Sequence, residues 1–308
     1  MKNFTNYLCA ATALLLSTQA SALTGDVNLD GYTDTIYVEG EYVKIKDGRS
    51  PSIITSHHVG SQTMTLHSLQ QLDNDSAYEI VVTTTSSYVF VVDANTSSAS
   101  RYSIYRNGST GNSNYQIRTI APFMANSTNQ LIVMYPGDNY VWVLDHVGKT
   151  QRNYLVAANP TTFDLVEVDG AAGLDIVLSY ADAGSITIIS SNQQRSPAVR
   201  EYHKNWGTSS TRDKFFGFAN TDSGAAMEII LHNNTGGSSI HIIRDSAGVW
   251  GYGEERMFNL YGQYQIINAN KNRDGSPGNE VCYRQTNSGK YYFLNANSGN
   301  VTNTANCN

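Results

Sequence analysis

A pattern that recurs six times along the chain limits the folds that this sequence can adopt. An acidic or amide residue opens a short apolar run each time, at Asp34, Glu79, Gln130, Asp175, Glu228 and Glu280. The intervals between these positions are 45, 51, 45, 53 and 52 residues. Such a repeat cannot bury its apolar surface alone, so we expect the repeats to stack on one another.

A turn-rich gap and a second apolar run follow each first run, so every repeat contains a hairpin. The second runs end at Asp47, Asp93, Asp145, Ser190, Asp245 and Asn295. Repeats two to six also carry an apolar strand before the acid. Three or four short antiparallel strands in about 45 to 50 residues are typical of one propeller blade. The sequence therefore predicts an all-β fold, a β-propeller of six blades. Seven blades is the alternative count, and a β-sandwich or solenoid is the structural rival.

The two ends of the repeat region are expected to be irregular. Only Leu23, Thr24 and Gly25 separate the first loop from the N-terminal segment described next. The first blade is therefore predicted to lack its leading strand. Either that blade stays incomplete, or the chain after Asn295 completes a sheet by pairing across the seam.

The first 22 residues are typical of a secretory signal peptide. Lys2 supplies the positive start, an apolar stretch covers 8–16, and Ala20-Ser21-Ala22 forms a small-residue cleavage pattern. This apolar stretch is far shorter than the roughly 20 residues that span a bilayer. We therefore expect a signal peptide over 1–22, a propeller domain over 23–308, no membrane span, and a secreted or periplasmic location.

Cysteine content and charge constrain the compartment and the partners. Cys9 leaves with the signal peptide, and the two remaining cysteines, Cys282 and Cys307, are predicted to form a disulfide that holds down the C-terminal tail. The whole chain has a formal net charge of −6, from 20 basic and 26 acidic residues. Nucleic-acid binding requires a basic face, so nucleic acid is not expected as a partner.

One loop near the N-terminus has the composition of a calcium site. Side-chain oxygens occupy its first, third, fifth and ninth places, at Asp26, Asn28, Asp30 and Asp34, with Gly31 sixth. The Tyr32 carbonyl is the expected backbone ligand. An EF-hand would carry Glu at the twelfth place, where this chain has Tyr37. The sequence predicts one structural Ca²⁺ here, against the alternative of a carboxylate-rich turn without an ion.

Later repeats keep only parts of this loop. Repeat two retains Gln71, Asp73, Asp75 and Glu79, which we predict as a second, weaker metal site. Repeats four to six keep the partial sets Glu167, Asp169 and Asp175; Asn220, Asp222 and Glu228; and Asn272, Asp274 and Glu280. In these repeats the acids are expected to build turns by accepting backbone N–H groups.

Four of these segments carry a family resemblance. The segments GDVNLDGYTDTIYV, LDNDSAYEIVV, VDGAAGLDIVL and RDGSPGNEVCY resemble the FG-GAP or VCBS-type repeats of integrin-alpha-like β-propellers. The resemblance covers nearly all of the chain after the signal peptide. It implies that the loop lies between the first two strands of a blade and binds calcium through Asp26, Asn28, Asp30, Tyr32 and Asp34. The family is functionally mixed, including adhesion, carbohydrate binding and some lyases, so the resemblance implies no single activity.

The sequence contains none of the short motifs that mark common catalytic sites. His-Glu-x-x-His, Gly-x-Ser-x-Gly, phosphate-binding glycine loops and Cys-x-x-Cys are all absent. This absence favours a binding or adhesion module whose ligand is a glycan or a cell-surface or envelope protein. Trp206 is the candidate ligand-binding aromatic residue, whereas Trp142 is expected to pack inside a blade. The alternatives are a polysaccharide-acting, lyase-like enzyme and a periplasmic scaffold in envelope assembly.

Overall fold

All regular elements in the described part of the protein are β-strands. The computed structural model describes residues 22–50, 52–60, 63–73, 75–85, 87–95, 98–104, 116–124, 128–134, 139–157, 159–180, 185–192, 198–202, 214–222, 224, 226–233, 238–245, 253–273 and 278–307. None of these residues belongs to a helix long and apolar enough to cross a membrane.

The first of two compact units comprises Met1–Gln70 and Ser76–Gly111. It holds two four-stranded antiparallel sheets, which we call blades one and two, with strands in chain order. Blade one is β1 (Ala22–Gly25), β2 (Asp34–Glu39), β3 (Tyr42–Lys46) and β4 (Ile53–His58). Blade two is β5 (Met64–Gln70), β6 (Glu79–Thr84), β7 (Tyr88–Asp93) and β8 (Ser98–Ser103).

The second unit comprises Gln71–Asp75 and Asn112–Asn308, and it holds four more such sheets. Blade three is β9 (Gln116–Ala121), β10 (Gln130–Met134), β11 (Tyr140–Asp145) and β12 (Thr150–Leu155). Blade four is β13 (Thr162–Val166), β14 (Asp175–Tyr180), β15 (Ser185–Ile189) and β16 (Val199–Tyr202). Blade five is β17 (Lys214–Ala219), β18 (Glu228–Asn233), β19 (Ser239–Arg244) and β20 (Glu254–Asn259). Blade six is β21 (Tyr264–Lys271), β22 (Glu280–Gln285), β23 (Tyr291–Leu294) and β24 (Val301–Thr304).

The two middle strands of each blade are the apolar runs that define the repeat. Every residue of β6, β10 and β14 is buried, whereas five of the six residues of the outer strand β12 are exposed. When a strand is covered on both faces, the side chains on both faces are away from water. Its sequence is therefore a continuous apolar run. The outer strand needs no such run, since one of its edges and part of its surface face solvent.

Apolar side chains between successive blades form the cores of both units. In the first unit, Ile36 and Ile45 of blade one pack with Ile80 and Val92 of blade two. In the second unit, three such cores join blades three and four, four and five, and five and six. Face-to-face packing of consecutive four-stranded meanders is the packing of propeller blades. The predicted all-β propeller class is confirmed, with six blades within the described residues.

The predicted irregularity at the ends of the repeat region was wrong. Ala22–Gly25 forms a leading strand in blade one, where Ala22 pairs with Tyr37 and Gly25 with Asp34. Leu23 packs against the core of that unit, so four residues suffice for this strand. The chain after Asn295 adds a strand to its own blade, where Val301–Thr304 pairs with β23.

The two C-terminal cysteines lie together, as predicted. Cys282 on β22 is bonded to Cys307, and their Cα atoms are 5.8 Å apart. Both residues are buried and pack with Phe293. Asn268 also donates a side-chain hydrogen bond of 3.0 Å to the carbonyl of Cys307. The last residues of the tail are therefore held against blade six by a covalent link and a hydrogen bond.

Candidate functional site

The loop between β1 and β2 turns its side-chain oxygens toward its own backbone. Asp26 Oδ1 and Asn28 Oδ1 both accept a hydrogen bond from the N–H of Asp30, at 3.2 and 3.0 Å. Asp26 Oδ2 accepts from Gly31 N, and Asp30 Oδ1 accepts from Tyr32 N, each at 2.9 Å. Gly31 has φ of 87°, which favours glycine at the sixth place.

Asp34, at the ninth place, is held differently from the other three. It is fully buried, and it accepts hydrogen bonds of 3.0 Å from Val27 N and from Gly48 N. Gly48 lies in the connection between β3 and β4. The Asp34 carboxylate therefore links the loop to a second connection of the same blade.

The first three side chains of this loop have the donor chemistry of a calcium site, whereas both oxygens of Asp34 accept backbone N–H groups. Asp26, Asn28 and Asp30 supply oxygens within one turn, and carboxylate and amide oxygens are the ligands that Ca²⁺ prefers. Each oxygen that accepts one N–H keeps a second lone pair for a cation. Tyr32 is half-exposed, at 50%, and Asp30 is exposed, so one side of the loop is open to solvent.

The other residues predicted to have a site or packing role are those of the second metal loop and two tryptophans. Gln71 donates its amide to the carbonyl of Asp75, and Asp73 Oδ1 accepts from Asp75 N at 2.9 Å. Glu79, the fourth residue of that predicted site, is buried on β6 of the first unit. Trp206 lies outside the described residues. Trp142 is 6% exposed on β11, which agrees with the expected packing role.

The ninth place of the loop has a recurring structural role in this chain. We call its six occupants the clamp residues, and all are buried: Asp34, Glu79, Gln130, Asp175, Glu228 and Glu280. Asp175 accepts from the N–H groups of Val168, Asp169 and Ser191 at 2.9, 3.1 and 2.8 Å. Like Asp34, it joins its loop to the connection between the third and fourth strands of its blade.

Other clamp residues bind their loops in the same way. Gln130 Oε1 accepts from Met124 N at 2.9 Å, and its amide donates to the Thr128 carbonyl at 2.8 Å. Glu280 Oε2 accepts from Arg273 N at 2.7 Å. Because Gln130 serves as well as the acids do, the clamp requires an acceptor oxygen and does not require a negative charge.

Backbone hydrogen bonds connect the loops of neighbouring blades in the second unit. The residue before the clamp residue donates its N–H to the first loop residue of the preceding blade. These pairs are Leu174 N to Pro122 O at 3.3 Å, Met227 N to Glu167 O at 3.0 Å, and Asn279 N to Asn220 O at 2.8 Å. The loops thus hold adjacent blades together as well as their own strands.

In repeat five an arginine lies against the loop acids. Arg244 is fully buried and forms an ion pair with Asp222, at the third place of the loop. Gly224 occupies the fifth place, and a Cβ there would lie 3.1 Å from Arg244 Nη2 and 2.8 Å from Asp222 Oδ1. The glycine therefore leaves room for the guanidinium group, and the protein supplies its own positive charge to this loop.

Glu228, the clamp residue of the same repeat, has a pKa above its ordinary value. Burial raises the pKa of Glu228 to about 7, hydrogen bonds from Thr221 oppose the rise, and the Asp222 charge adds to it. Glu228 Oε2 accepts both Thr221 bonds, whereas Oε1 has no hydrogen-bond partner within the described residues. An ionised oxygen without a partner is costly in a buried site, so the protonated form is favoured up to a higher pH than usual.

Three carboxylates of repeat four lie close together. Oxygens of Glu167, Asp169 and Asp175 all lie within 4.8 Å of one another. Burial raises the pKa of Glu167 and of Asp175. The charges of Asp175 and Asp169 add to the shift of Glu167, and the charge of Asp169 adds to that of Asp175. Glu167 and Asp169 accept N–H groups from Gly170 and Ala171, so these acids build the turn that the sequence predicts.

A cavity of about 270 Å³ opens beside blade six and was not predicted from the sequence. It is lined by Asn259, Leu260, Tyr261, Tyr283, Gln285, Tyr292 and Val301. The rings of Tyr283 and Tyr292 stack with centroids 5.4 Å apart and planes at 19°. Tyr261 is 93% exposed, and Gln285 Nε2 donates to its carbonyl at 2.7 Å. We call this cavity the tyrosine pocket.

The tyrosine pocket has no charged side chain among these lining residues. Burial raises the pKa of Tyr283 to about 12, so its hydroxyl stays protonated at neutral pH. The pocket combines aromatic faces with amide and hydroxyl groups, which is the chemistry of a site for a neutral, partly polar ligand. A sequence signal existed in the Tyr-rich segments of blade six, but only the strand register brings these rings together.

No family model matches the sequence, and no curated protein matches it. Among solved structures, the chain is similar to streptogramin B lyase at 12% identity and a TM-score of 0.35, covering 94% of this chain and 84% of that chain. It is similar to BBS1N in complex with ARL6DN at 12% identity and a TM-score of 0.34, covering 93% and 81%. The WD40 domain of SCAP from fission yeast follows at 10% identity and a TM-score of 0.32, covering 88% and 72%. Similarities at these TM-scores carry no argument about what this chain binds or does.

Proposed function

We propose that this protein is an exported, calcium-stabilised β-propeller that binds a neutral glycan in its tyrosine pocket. The observation that carries the proposal is the pocket itself, with three tyrosines, two amide side chains and no charged residue in its lining. A sugar ring offers apolar C–H faces to aromatic rings and hydroxyl groups to amides and phenols. Charged ligands gain no ion pair from these groups, so the pocket favours uncharged sugars.

Size and exposure support the same ligand class. A volume of about 270 Å³ is near the lower end of ligand pockets, which suits one or two sugar residues of a longer chain. Tyr261 extends from the turn between β20 and β21 and is almost fully exposed, so it is available to a ligand without rearrangement of the core. The remainder of a glycan would extend over the surface of blade six.

The proposal also includes the repeat type, the location and the partner. The FG-GAP or VCBS-like loops, the signal peptide over 1–22 and the disulfide between Cys282 and Cys307 are all properties of an extracytoplasmic protein. The glycan would then belong to a cell-surface or envelope component. A protein ligand is the competing outcome, and it is separated from a glycan by the experiment below.

We expect Tyr261→Ala to weaken glycan binding about tenfold. Loss of one aromatic face removes about 1.4 kcal/mol of contact energy. The wild-type chain would be screened on an array of neutral and acidic glycans, and the best neutral binder measured by calorimetry. Tyr78→Ala is the matched control, since Tyr78 is also exposed, at 46%, and does not line the pocket.

The two variants separate the outcomes. If Tyr261→Ala and Tyr78→Ala bind the glycan with equal affinity, the glycan does not bind in the tyrosine pocket. If the chain binds a member of a panel of surface proteins and binds no glycan, the ligand is a protein. Because Tyr261 contributes little packing, its removal should leave the melting temperature unchanged, and a large drop would indicate a structural role instead.

Calcium is expected to raise the melting temperature in a concentration-dependent manner. An ion that binds only the folded chain stabilises it by about 2.7 kcal/mol at one hundred times its dissociation constant. Asp30→Ala removes a charged, exposed ligand and should abolish most of this shift. Asp47→Ala is the control, because Asp47 also accepts a backbone N–H in a turn, from Arg49, outside the loop. A melting temperature that changes with neither calcium nor chelator would disprove the calcium site.

A further inference from the structure

Blade five carries a connected serine, histidine and glutamate on its third and fourth strands. Ser239 and His241 lie two residues apart on β19, so their side chains share one face of the sheet. Ser239 Oγ lies 3.0 Å from His241 Nε2, and His241 Nδ1 lies 2.7 Å from Glu255 Oε1 on β20. The two nitrogens of one imidazole therefore contact a hydroxyl group and a carboxylate.

The carboxylate determines which histidine nitrogen carries the hydrogen. An ionised glutamate only accepts, so Nδ1 of the neutral imidazole donates to Glu255, and Nε2 presents its lone pair to Ser239. In this tautomer His241 is oriented to accept the Ser239 hydroxyl proton, as a general base does beside a serine nucleophile. Ser239 and His241 are only 5% and 2% exposed, which shields the pair from bulk water.

The face that carries these groups reaches solvent at the outer strand. Residues of β20 alternate between half-buried and exposed, and Glu255, Met257 and Asn259 form the exposed set. In the β19–β20 register Met257 lies opposite His241, and Asn259 lies opposite Ser239. Directly opposite residues share a face, so Asn259 lies next to Ser239 in the sheet, and it also lines the tyrosine pocket. Its N–H groups are suited to a carbonyl oxygen that gains negative charge.

We propose that Ser239, His241 and Glu255 form a second site that hydrolyses small carboxylic esters. Ser239 is the catalytic nucleophile, His241 is the catalytic base, and Glu255 is a positioning residue that acts through His241. The small exposed fraction of Ser239 limits the acyl group to one about the size of acetyl. This site lies on β19 and β20, and Ser239, His241 and Glu255 do not line the tyrosine pocket, although Asn259 does.

The ester and water are the only reactants that the reaction requires. Ser239 Oγ bonds to the ester carbonyl carbon while its proton moves to His241 Nε2, and the carbonyl oxygen becomes an oxyanion. The tetrahedral intermediate collapses, the bond to the leaving oxygen breaks, and His241 returns the proton to the departing alcohol. Water then attacks the acyl-serine with its proton again passing to His241. The second tetrahedral intermediate collapses, the bond between the acyl carbon and Ser239 Oγ breaks, and His241 returns its proton to Oγ as the carboxylic acid leaves.

The test uses 4-nitrophenyl acetate, whose acyl group matches the proposed size. The full chain would be mixed with this ester, nitrophenolate release followed, and samples quenched in acid for peptide mass spectrometry. We expect an acetyl group on Ser239. Ser190 is the internal control, because it is also buried, at 1% exposed against 5% for Ser239, but its hydroxyl donates to Asp169. Acetylation at Ser190 but not at Ser239 would overturn the proposal.

Variants separate catalysis from background reaction with the ester. Ser239→Ala and His241→Ala should lower kcat/KM at least about 100-fold. Glu255→Gln should lower kcat about tenfold with KM unchanged, which is the result expected of a positioning residue. Melting temperatures within about 3 °C of the wild type would show that each variant is folded. No acetyl-Ser239 in the folded wild type, or acetylation that persists in His241→Ala, would overturn the proposal.

Discussion

Replacement of Asp175 by alanine is expected to lower the free energy of unfolding by at least about 3 kcal/mol. The carboxylate is fully buried and satisfies the N–H groups of Val168, Asp169 and Ser191. Each buried donor left without a partner costs about 1–3 kcal/mol, because water cannot replace the lost acceptor. Urea unfolding monitored by tryptophan fluorescence would measure the change.

Asp175→Asn is the matched control for this loss. Asparagine keeps one acceptor oxygen, which can retain the bonds from Val168 and Asp169, and it loses only the bond from Ser191. Its destabilisation should therefore be clearly smaller than that of alanine. If both variants lose less than about 1 kcal/mol, the clamp residues do not hold the loops in the way that the contacts indicate.

Replacement of Glu228 by glutamine should remove one component of the pH dependence of stability. The pKa of Glu228 lies at about 7 in the folded protein, above its ordinary value of 4.5, mainly because of burial. A raised pKa in the folded state favours folding below pH 4.5, and this contribution is lost as the pH rises through about 7. The wild type should lose on the order of 3 kcal/mol relative to Glu228→Gln across this range.

The glutamine variant is compatible with the site, since blade three already has Gln130 at the same place. The comparison is made as a difference between wild type and variant in urea midpoints at pH 5, 6, 7 and 8. This difference removes the contributions of other carboxylates, which titrate in both proteins. Parallel stability curves between pH 5 and 8 would contradict the raised pKa of Glu228.

The blades of the fold were predictable because the same sequence pattern recurs in each repeat. Each clamp residue stands first in the second strand of its blade, as Asp175 does in β14 and Glu228 in β18. In β6, β10 and β14 the apolar run after it is buried on both faces, so a continuous apolar run marks the strand. A four-residue strand such as β1 has no such run, and its pairing with β2 arises from its contacts in the folded blade.

The chemistry between distant residues was not predictable in the same way. Asp222 lies in the loop between β17 and β18, whereas Arg244 ends β19, and nothing in the local sequence shows that they meet. Ser239 and His241 form a Ser-x-His pair on one strand, but Glu255 joins them only through the register of β19 and β20. The tyrosine pocket likewise depends on which rings face each other across β22 and β23. Register of this kind is determined by the whole blade.

The backbone bonds between neighbouring loops have an evolutionary consequence. Both partners in the pair Leu174 and Pro122 are main-chain groups, so any amino acid at the acceptor position can supply the carbonyl. Repeat three has lost almost every acid of the loop pattern, yet its loop still joins blade four through this bond. Mutations can therefore accumulate in the loops of individual repeats without separating the blades. Such drift leaves the loops free to diverge in function while the scaffold persists.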